Sequence, residues 1–118
     1  MWSNCLFVAL GGGLGAVGRY LLSLIAAPWS FPVMTLLTNF LGAMVIGAVA
    51  QAAGQLPMSK SAVLFLKTGL CGGFTTFSTF SLETVELLEQ GRWAAGGGYI
   101  LASVGLCLAG VLLGRALV

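Results

Sequence analysis

Apolar residues dominate four long stretches of the chain, and short polar stretches separate them. The apolar stretches run from about residue 5 to 27, 32 to 53, 61 to 90 and 93 to 117. A helix of about 20 residues crosses the hydrocarbon core of a bilayer, so each stretch is long enough to span it. The pattern predicts an all-α integral membrane fold, with four transmembrane helices in one domain, residues 1–118.

The third stretch is interrupted by polar residues near its middle. Residues 69 to 81 include three glycines and five serines or threonines. Glycine weakens a helix, and hydroxyl side chains offer the backbone competing hydrogen bonds, so we expect the third helix to break near the membrane midplane, between Gly72 and Thr76. Broken backbone at membrane depth must be buried in protein or line a wet cavity. This favours an ion site over the alternative, a packing kink between helices.

Composition excludes several classes of protein. The chain is 58% hydrophobic and 7% charged, whereas soluble domains carry about 25% charged residues. A net charge of +2 without a basic cluster argues against nucleic acid as a partner. The three cysteines lie far apart, so they predict neither a zinc site nor a disulfide framework. Because histidine is absent and the acids all lie at one end of the third stretch, no nucleophile–base pair of an enzyme is available.

The first stretch is rich in glycine. No basic region precedes it, so we interpret it as a retained span and not as a signal peptide. Gly13, Gly15 and Gly18 have the spacing of a dinucleotide-binding loop, but neither a strand nor a nearby acid accompanies them. Close helix packing through Gly11 and Gly15 is the better interpretation. Arg19 either snorkels to the headgroups or points into an aqueous vestibule.

Polar residues also lie at membrane depth in the second and fourth stretches. The amide of Asn39 must find a partner, so Asn39 either joins helices or lines a pathway. Tyr99 and Ser103 are four residues apart and begin one stripe along the fourth helix. Gly110 and Gly114 predict a second close helix contact.

Aromatic and acidic residues follow the interruption at a spacing of three. Phe77 and Phe80 therefore share a helix face. Glu86 and Glu89 approach the aqueous end and are expected to form a solvated face. Glu83 lies deeper, directly after this aromatic pair, so a functional role is expected for it.

Basic residues are almost evenly divided between the two ends of the predicted bundle. Lys60, Lys67 and Arg115 lie on the side of the termini, and Arg19 and Arg92 lie on the other. Lysine and arginine in short loops set orientation, so this near balance predicts insertion in both directions. Opposite copies would then pair as an antiparallel, dual-topology homodimer. Lys67, within two turns of the start of its stretch, is expected to snorkel.

The polar groups at membrane depth favour an anion, although they do not name it. Asn39, Tyr99 and Ser103 donate hydrogen bonds, and the first two stretches contain no acid. The ring edges of Phe77 and Phe80 are positive and suit an anion. Carbonyls freed by a helix break suit instead a cation such as Na⁺.

Three motifs occur together in this four-span pattern. They are Gly11-Gly12-x-x-Gly15-Ala16-x-x-Arg19-Tyr20, Thr35-Leu36-x-x-Asn39-x-x-Gly42 and Gly69-Leu70-Cys71-Gly72-Gly73-Phe74-Thr75-Thr76-Phe77-Ser78-Thr79-Phe80-Ser81-x-Glu83. Together they resemble the Fluc (CrcB) family of fluoride channels over nearly the whole chain. The resemblance implies an antiparallel homodimer in the bacterial inner membrane, with two pathways for fluoride. Beyond fluoride, a second copy and the lipid bilayer, it implies no soluble partner and no nucleic acid.

The resemblance also implies roles for individual residues. Phe77 and Phe80 are similar to the pore-lining phenylalanines of the family, and Asn39 is similar to its pore asparagine. A structural Na⁺ at the dimer centre is implied, held by the backbone carbonyls of Gly72 and Thr75 from both subunits. The family's polar track would fall on Ser78, Thr79, Tyr99 and Ser103. Glu83, and Arg19 as a vestibule residue, complete the candidate site residues.

The implied physiology is passive export. Hydrogen fluoride crosses membranes uncharged and ionises in a more alkaline cytoplasm, which traps the anion there. A membrane potential that is negative inside then drives fluoride out, so that no coupling ion is required.

The chain departs from the family pattern at four positions. Met34 stands where a glycine is usual, and Thr38 stands where valine is common. Cys107 and Val111 replace hydroxyl residues at the outer end of the polar track. None of these changes affects the centre of the predicted site.

Two other functions compete with an anion channel. A small multidrug exporter is also a short dual-topology dimer, but coupled exchange needs a carboxylate within the membrane, typically in the first span, and the first stretch here has none. A non-transporting assembly subunit leaves Asn39 and the polar interruption unexplained.

Overall fold

A computed structural model describes residues 1–25 and 30–118, in which every regular element is a helix. The helices are α1 (Trp2–Ser23), α2 (Val33–Gln55), α3 (60–74), α4 (Phe77–Glu89) and α5 (Trp93–Ala116). Three of them, α1, α2 and α5, are apolar and long enough to cross a membrane. The third predicted stretch forms two shorter helices, α3 and α4, as the predicted break requires.

Helix ends differ from the predicted spans by a few residues. The first helix ends at Ser23, before the predicted end at residue 27. That predicted end lies outside the described residues. Trp2 and Trp93 each begin a helix and are exposed, as expected of residues at a membrane interface.

Glycines bring α1 and α3 into close contact. Gly11 and Gly15 are buried, which confirms the first predicted small-residue face. Gly69 and Gly73 of α3 are the residues that meet it. A Cβ atom at Gly73 would fall on the carbonyl of Gly12, so these helices touch backbone to backbone.

We predict that Gly15→Ala destabilises the protein, whereas Gly13→Ala does not. A Cβ atom at Gly15 would overlap the Leu70 carbonyl and lie 2.7 Å from the backbone nitrogen of Phe74. At Gly13, on the same helix, no atom lies within 4 Å among the described residues. Overpacking of this kind costs about 1–3 kcal/mol. Thermal unfolding in detergent should show a lower midpoint for Gly15→Ala only, and equal midpoints for the two variants would contradict this packing.

A second glycine contact joins α2 and α5. Gly110 and Gly114 are buried, which confirms the second predicted face. A Cβ atom at Gly114 would overlap the Met44 carbonyl, and one at Gly47 would overlap the backbone of Val111. Two tight helix pairs, α1 with α3 and α2 with α5, therefore build the bundle.

The distribution of residues is that of a protein in lipid. Apart from residues such as Leu87, the interior is mostly small or polar: Tyr99 is fully buried, and Thr38 and Ser103 are nearly so. Large leucines such as Leu101 and Leu112 face outward instead. The longest dimension is 49 Å, slightly more than the 40–45 Å of a bilayer with its headgroups.

An unpredicted π-helix forms most of α3. Residues Leu64–Cys71 wind in this wider form, and the N–H of Gly72 donates to the carbonyl of Lys67, five residues earlier. Hydropathy does not indicate a π-helix, because it reports which residues are apolar and not which carbonyl accepts the hydrogen bond of each backbone amide. π-helical turns are rare and often occur at functional sites.

The break is shorter than predicted, and only one of its two expected causes, the competing hydroxyl groups, is observed. Only Thr75 and Thr76 leave the helical conformation, with ψ angles of 156° and 113°. Gly72 and Gly73 were expected to lie within the break, but both remain helical. At Gly73 the glycine is required by the approach of α1. The two threonines end the helix because their side chains and a neighbouring asparagine supply other hydrogen bonds.

Candidate functional site

Asn39 of α2 holds the break together. Its side-chain oxygen accepts a hydrogen bond from the Thr76 N–H at 2.8 Å, and its Nδ2 donates to the Thr76 carbonyl at 3.2 Å. These are the bonds that a continuous helix would have made with its own backbone. The backbone of Thr76 is therefore the hydrogen-bond partner that Asn39 was expected to need. The second hydrogen of Nδ2 remains for another acceptor.

Both threonines of the break form local hydrogen bonds. The N–H and hydroxyl of Thr75 donate to the Cys71 carbonyl, at 3.0 and 2.8 Å, and close the last turn of α3. The hydroxyl oxygen of Thr76 accepts from the Thr79 N–H at 3.1 Å and so caps the start of α4. It also lies 3.0 Å from the Thr79 hydroxyl and 3.3 Å from that of Ser78. Hydroxyl groups therefore cluster at the positive end of α4.

Two carbonyls beside the break lose their usual partners. In an unbroken helix, Gly72 and Thr75 would accept from the N–H groups of Thr76 and Thr79. The first of these groups donates to Asn39, and the second donates to the Thr76 hydroxyl. The end of α3 thus presents carbonyl oxygens at the negative end of a helix dipole, an arrangement that suits a hard cation.

Arg19 lies beside the break. Its Nε donates to the Gly73 carbonyl at 3.1 Å. This carbonyl belongs to the last turn of α3. Arg19 lines a cavity of about 140 Å³ that is rich in hydroxyl groups. The other residues of its wall are Tyr20, Ser23, Met34, Thr35, Thr38, Thr76 and Thr79.

A larger cavity, of about 520 Å³, also borders the break. Its wall includes Asn39, Thr76 and Phe77, together with Gly72 and Thr75. We call it the break cavity. The remaining residues of its wall are Gly42, Ala43, Ile46, Lys67, Thr68, Cys71, Ser103, Val104 and Cys107.

Ser103 is the clearest unused donor of this cavity. Its Oγ is buried and has no hydrogen-bond partner among the residues that the structure describes. Cys107, one turn further along α5, lines the cavity as well, where the family pattern has a hydroxyl. Val111 instead packs against Gly47, so the predicted track leaves the cavity at that point.

Four aromatic rings form a row from the break toward the far end of α4. The ring centroids of Phe77 and Phe80 are 5.4 Å apart, and those of Phe80 and Tyr99 are 5.1 Å apart. Phe31 continues the row, with its centroid 5.4 Å from that of Tyr99. The shared face of the two α4 phenylalanines is thus confirmed, whereas Phe31 was not predicted, because only tertiary structure brings the first loop to α5.

Glu83 is joined to this aromatic row. The Tyr99 hydroxyl donates to its Oε1 at 3.0 Å. Glu83 and Glu86 both border a cavity of about 220 Å³ near the end of α4, and Glu86 and Glu89 are exposed, as predicted for a solvated face. Arg92 donates to the Ser30 carbonyl at 3.0 Å and ties the two loops at this end together.

The structure distributes the predicted site residues over several groups. Asn39, Phe77 and Ser103 meet at the break cavity with the two carbonyl residues. Thr79 faces the cavity of Arg19. The others lie apart from these cavities: Tyr99 and Glu83 join Phe80, and Ser78 is exposed beside the Thr76 hydroxyl.

Fold and site together define a multi-pass membrane protein with a helix break at its centre. The family described as "CrcB-like protein, Camphor Resistance (CrcB)" matches residues 6–115 of this chain. The chain belongs to that family, as its sequence motifs predicted.

Three relatives that are close to this chain in length share the same name. A "Fluoride-specific ion channel FluC" of Ruminiclostridium cellulolyticum is 45% identical, over 97% of this chain and 91% of its own length. Proteins of the same name from Roseiflexus sp. and Shewanella frigidimarina are each 48% identical, and the alignments cover 94% and 98% of this chain and 93% and 96% of the relatives. Ion channels are not enzymes, so these names support no catalytic role.

Proposed function

We propose that this chain is a fluoride channel that lowers cytoplasmic fluoride by passive export. The observation that carries the proposal is the helix break, where Asn39 takes over the hydrogen bonds of the Thr76 backbone. This arrangement leaves one amide hydrogen of Asn39 and the Ser103 hydroxyl to receive an anion that has lost part of its water. Uncharged hydrogen-bond donors suit a conducted anion, because they bind it weakly enough for it to leave the site again.

Phenylalanine edges extend the proposed pathway. The row that begins at Phe77 and Phe80 offers positive ring edges along α4 and reaches Tyr99. Arg19, in its hydroxyl-rich cavity, provides positive charge on the other side of the break. Fluoride would therefore meet a guanidinium or a hydroxyl group before it enters the apolar part of the pathway.

A structural Na⁺ and a second copy of the chain belong to the proposal. The carbonyls of Gly72 and Thr75 fit a hard cation, because the amides that would occupy them donate elsewhere. Two carbonyls are too few for such an ion, and an antiparallel partner would supply the other two. Phe77, exposed at the same face, would then be covered. Topology mapping that finds one fixed orientation would exclude this dimer.

A growth experiment tests the function in cells. A bacterium that lacks its own fluoride exporter is grown in mildly acidic medium with fluoride, where uncharged hydrogen fluoride enters. Expression of this chain should restore growth at fluoride concentrations that stop the vector control. Equal inhibition of both strains, with the protein present in the membrane, would overturn the proposal.

A further inference from the structure

Lys67 is a cation inside α3 that has no acid near it in sequence. Residues 60–74 contain no carboxylate, since Glu83, Glu86 and Glu89 all lie in α4 beyond the break. Its side chain is exposed and forms part of the wall of the break cavity. Ionisable residues within membrane-spanning segments usually have a function, because their charge is costly there. Lys67 shares the wall of this cavity with Asn39 and Ser103.

The π-helix explains how Lys67 faces this cavity. Lys67, Cys71 and Thr75 follow one another at intervals of four residues, and all three line the cavity wall. An α-helix turns about 100° per residue, so two such steps would rotate Thr75 about 80° away from Lys67. A π-helix has more residues in each turn and reduces this rotation. The Gly72 N–H bond to the Lys67 carbonyl is part of that winding.

We propose that Lys67 recruits anions into the break cavity, and that the π-helical winding of α3 orients it for this purpose. The inference rests on the proposed fluoride channel and adds a residue that sets the rate of anion entry. A single positive charge at a cavity mouth with apolar walls raises the local anion concentration. Its effect depends on ionic strength, because the screening length falls from about 30 Å at 0.01 M salt to about 3 Å at 1 M.

The test compares charge variants of Lys67 in liposomes at low fluoride concentration. Ionic strength is set with potassium isethionate, whose anion is too large for the pathway. Lys67→Gln should lower the fluoride efflux rate about threefold at low ionic strength, and by much less at about 1 M, where the charge is screened. Lys67→Arg should keep the wild-type rate, and Lys67→Glu should lower it further than the neutral variant.

Lys60 provides the matched control. It lies in the first turn of the same helix, is exposed and does not line the break cavity. Lys60→Gln should therefore reproduce the wild-type rate and its dependence on salt. If Lys67→Gln yields too little folded protein, Lys67→Met, which keeps the length of the side chain, replaces it.

Two outcomes separate this inference from the proposed function. Wild-type fluoride efflux, with equal rates for Lys67→Gln and Lys60→Gln at every ionic strength, would overturn the role of Lys67 and leave the channel intact. A loss in Lys67→Gln that is the same at low and high salt would also overturn it, because a packing defect is not screened. No efflux from the wild type would contradict the channel itself.

Discussion

Asn39→Asp is expected to abolish fluoride flux. The aspartate keeps an oxygen for the Thr76 N–H but loses the Nδ2 donor, so that a carboxylate oxygen faces the Thr76 carbonyl. It also places a negative charge on the wall of the break cavity. Two like charges 4 Å apart repel by about 4 kcal/mol near a protein surface, which corresponds to a rate lower by more than about a hundredfold. Fluoride efflux from liposomes measures this directly.

Two variants separate the charge from the hydrogen bonds. Asn39→Ala removes both bonds to the break without adding charge, so it should destabilise the protein and reduce flux less than the aspartate does. Asn4→Asp adds the same charge at the start of α1, where the Asn4 side chain accepts a bond from Ser61, and it should conduct normally. Wild-type flux through Asn39→Asp would limit Asn39 to a packing role.

Phe80→Ile is the second large expected effect. Phe80 stands between Phe77 and Tyr99 in the aromatic row, and isoleucine removes the ring from both contacts. The variant should still fold, because an apolar side chain of similar bulk remains. We expect fluoride efflux to fall at least about tenfold, equivalent to about 1.4 kcal/mol in the barrier. Phe77→Ile should act in the same direction.

Phe7→Ile is the control for the loss of an aromatic ring. Phe7 is exposed on α1 and belongs to none of the aromatic pairs of the row. Its replacement should leave the efflux rate unchanged. Unchanged rates in Phe77→Ile and Phe80→Ile as well would remove both rings from the proposed pathway.

Much of the fold follows from the sequence, because few backbone structures can satisfy their hydrogen bonds within lipid. Long apolar runs must be helices, and a backbone interrupted at depth must find other hydrogen-bond partners. This reasoning predicted the break and the need for a partner at Asn39. The glycine contacts were predictable too, since Gly11 with Gly15 and Gly110 with Gly114 have helical spacing.

The details of the site were less accessible to the same reasoning. Residue types indicate that a helix will break, but they do not indicate which backbone amides lose their helical hydrogen bonds. Gly72 and Gly73 were therefore expected in the break, whereas the structure shows them in a helix. The bond from Arg19 to Gly73 joins residues 54 apart in sequence and depends on the packing of α1. The π-helical winding, which orients Lys67, changes no apolar residue and leaves no mark in hydropathy.

Anion efflux from liposomes tests the central claim most directly. Purified protein is reconstituted in vesicles loaded with potassium fluoride or potassium chloride, and valinomycin allows potassium to balance the charge. We predict rapid fluoride release that requires valinomycin, with little chloride release in the matched experiment. No fluoride release from vesicles that contain folded protein, or equal release of the two anions, would contradict the account.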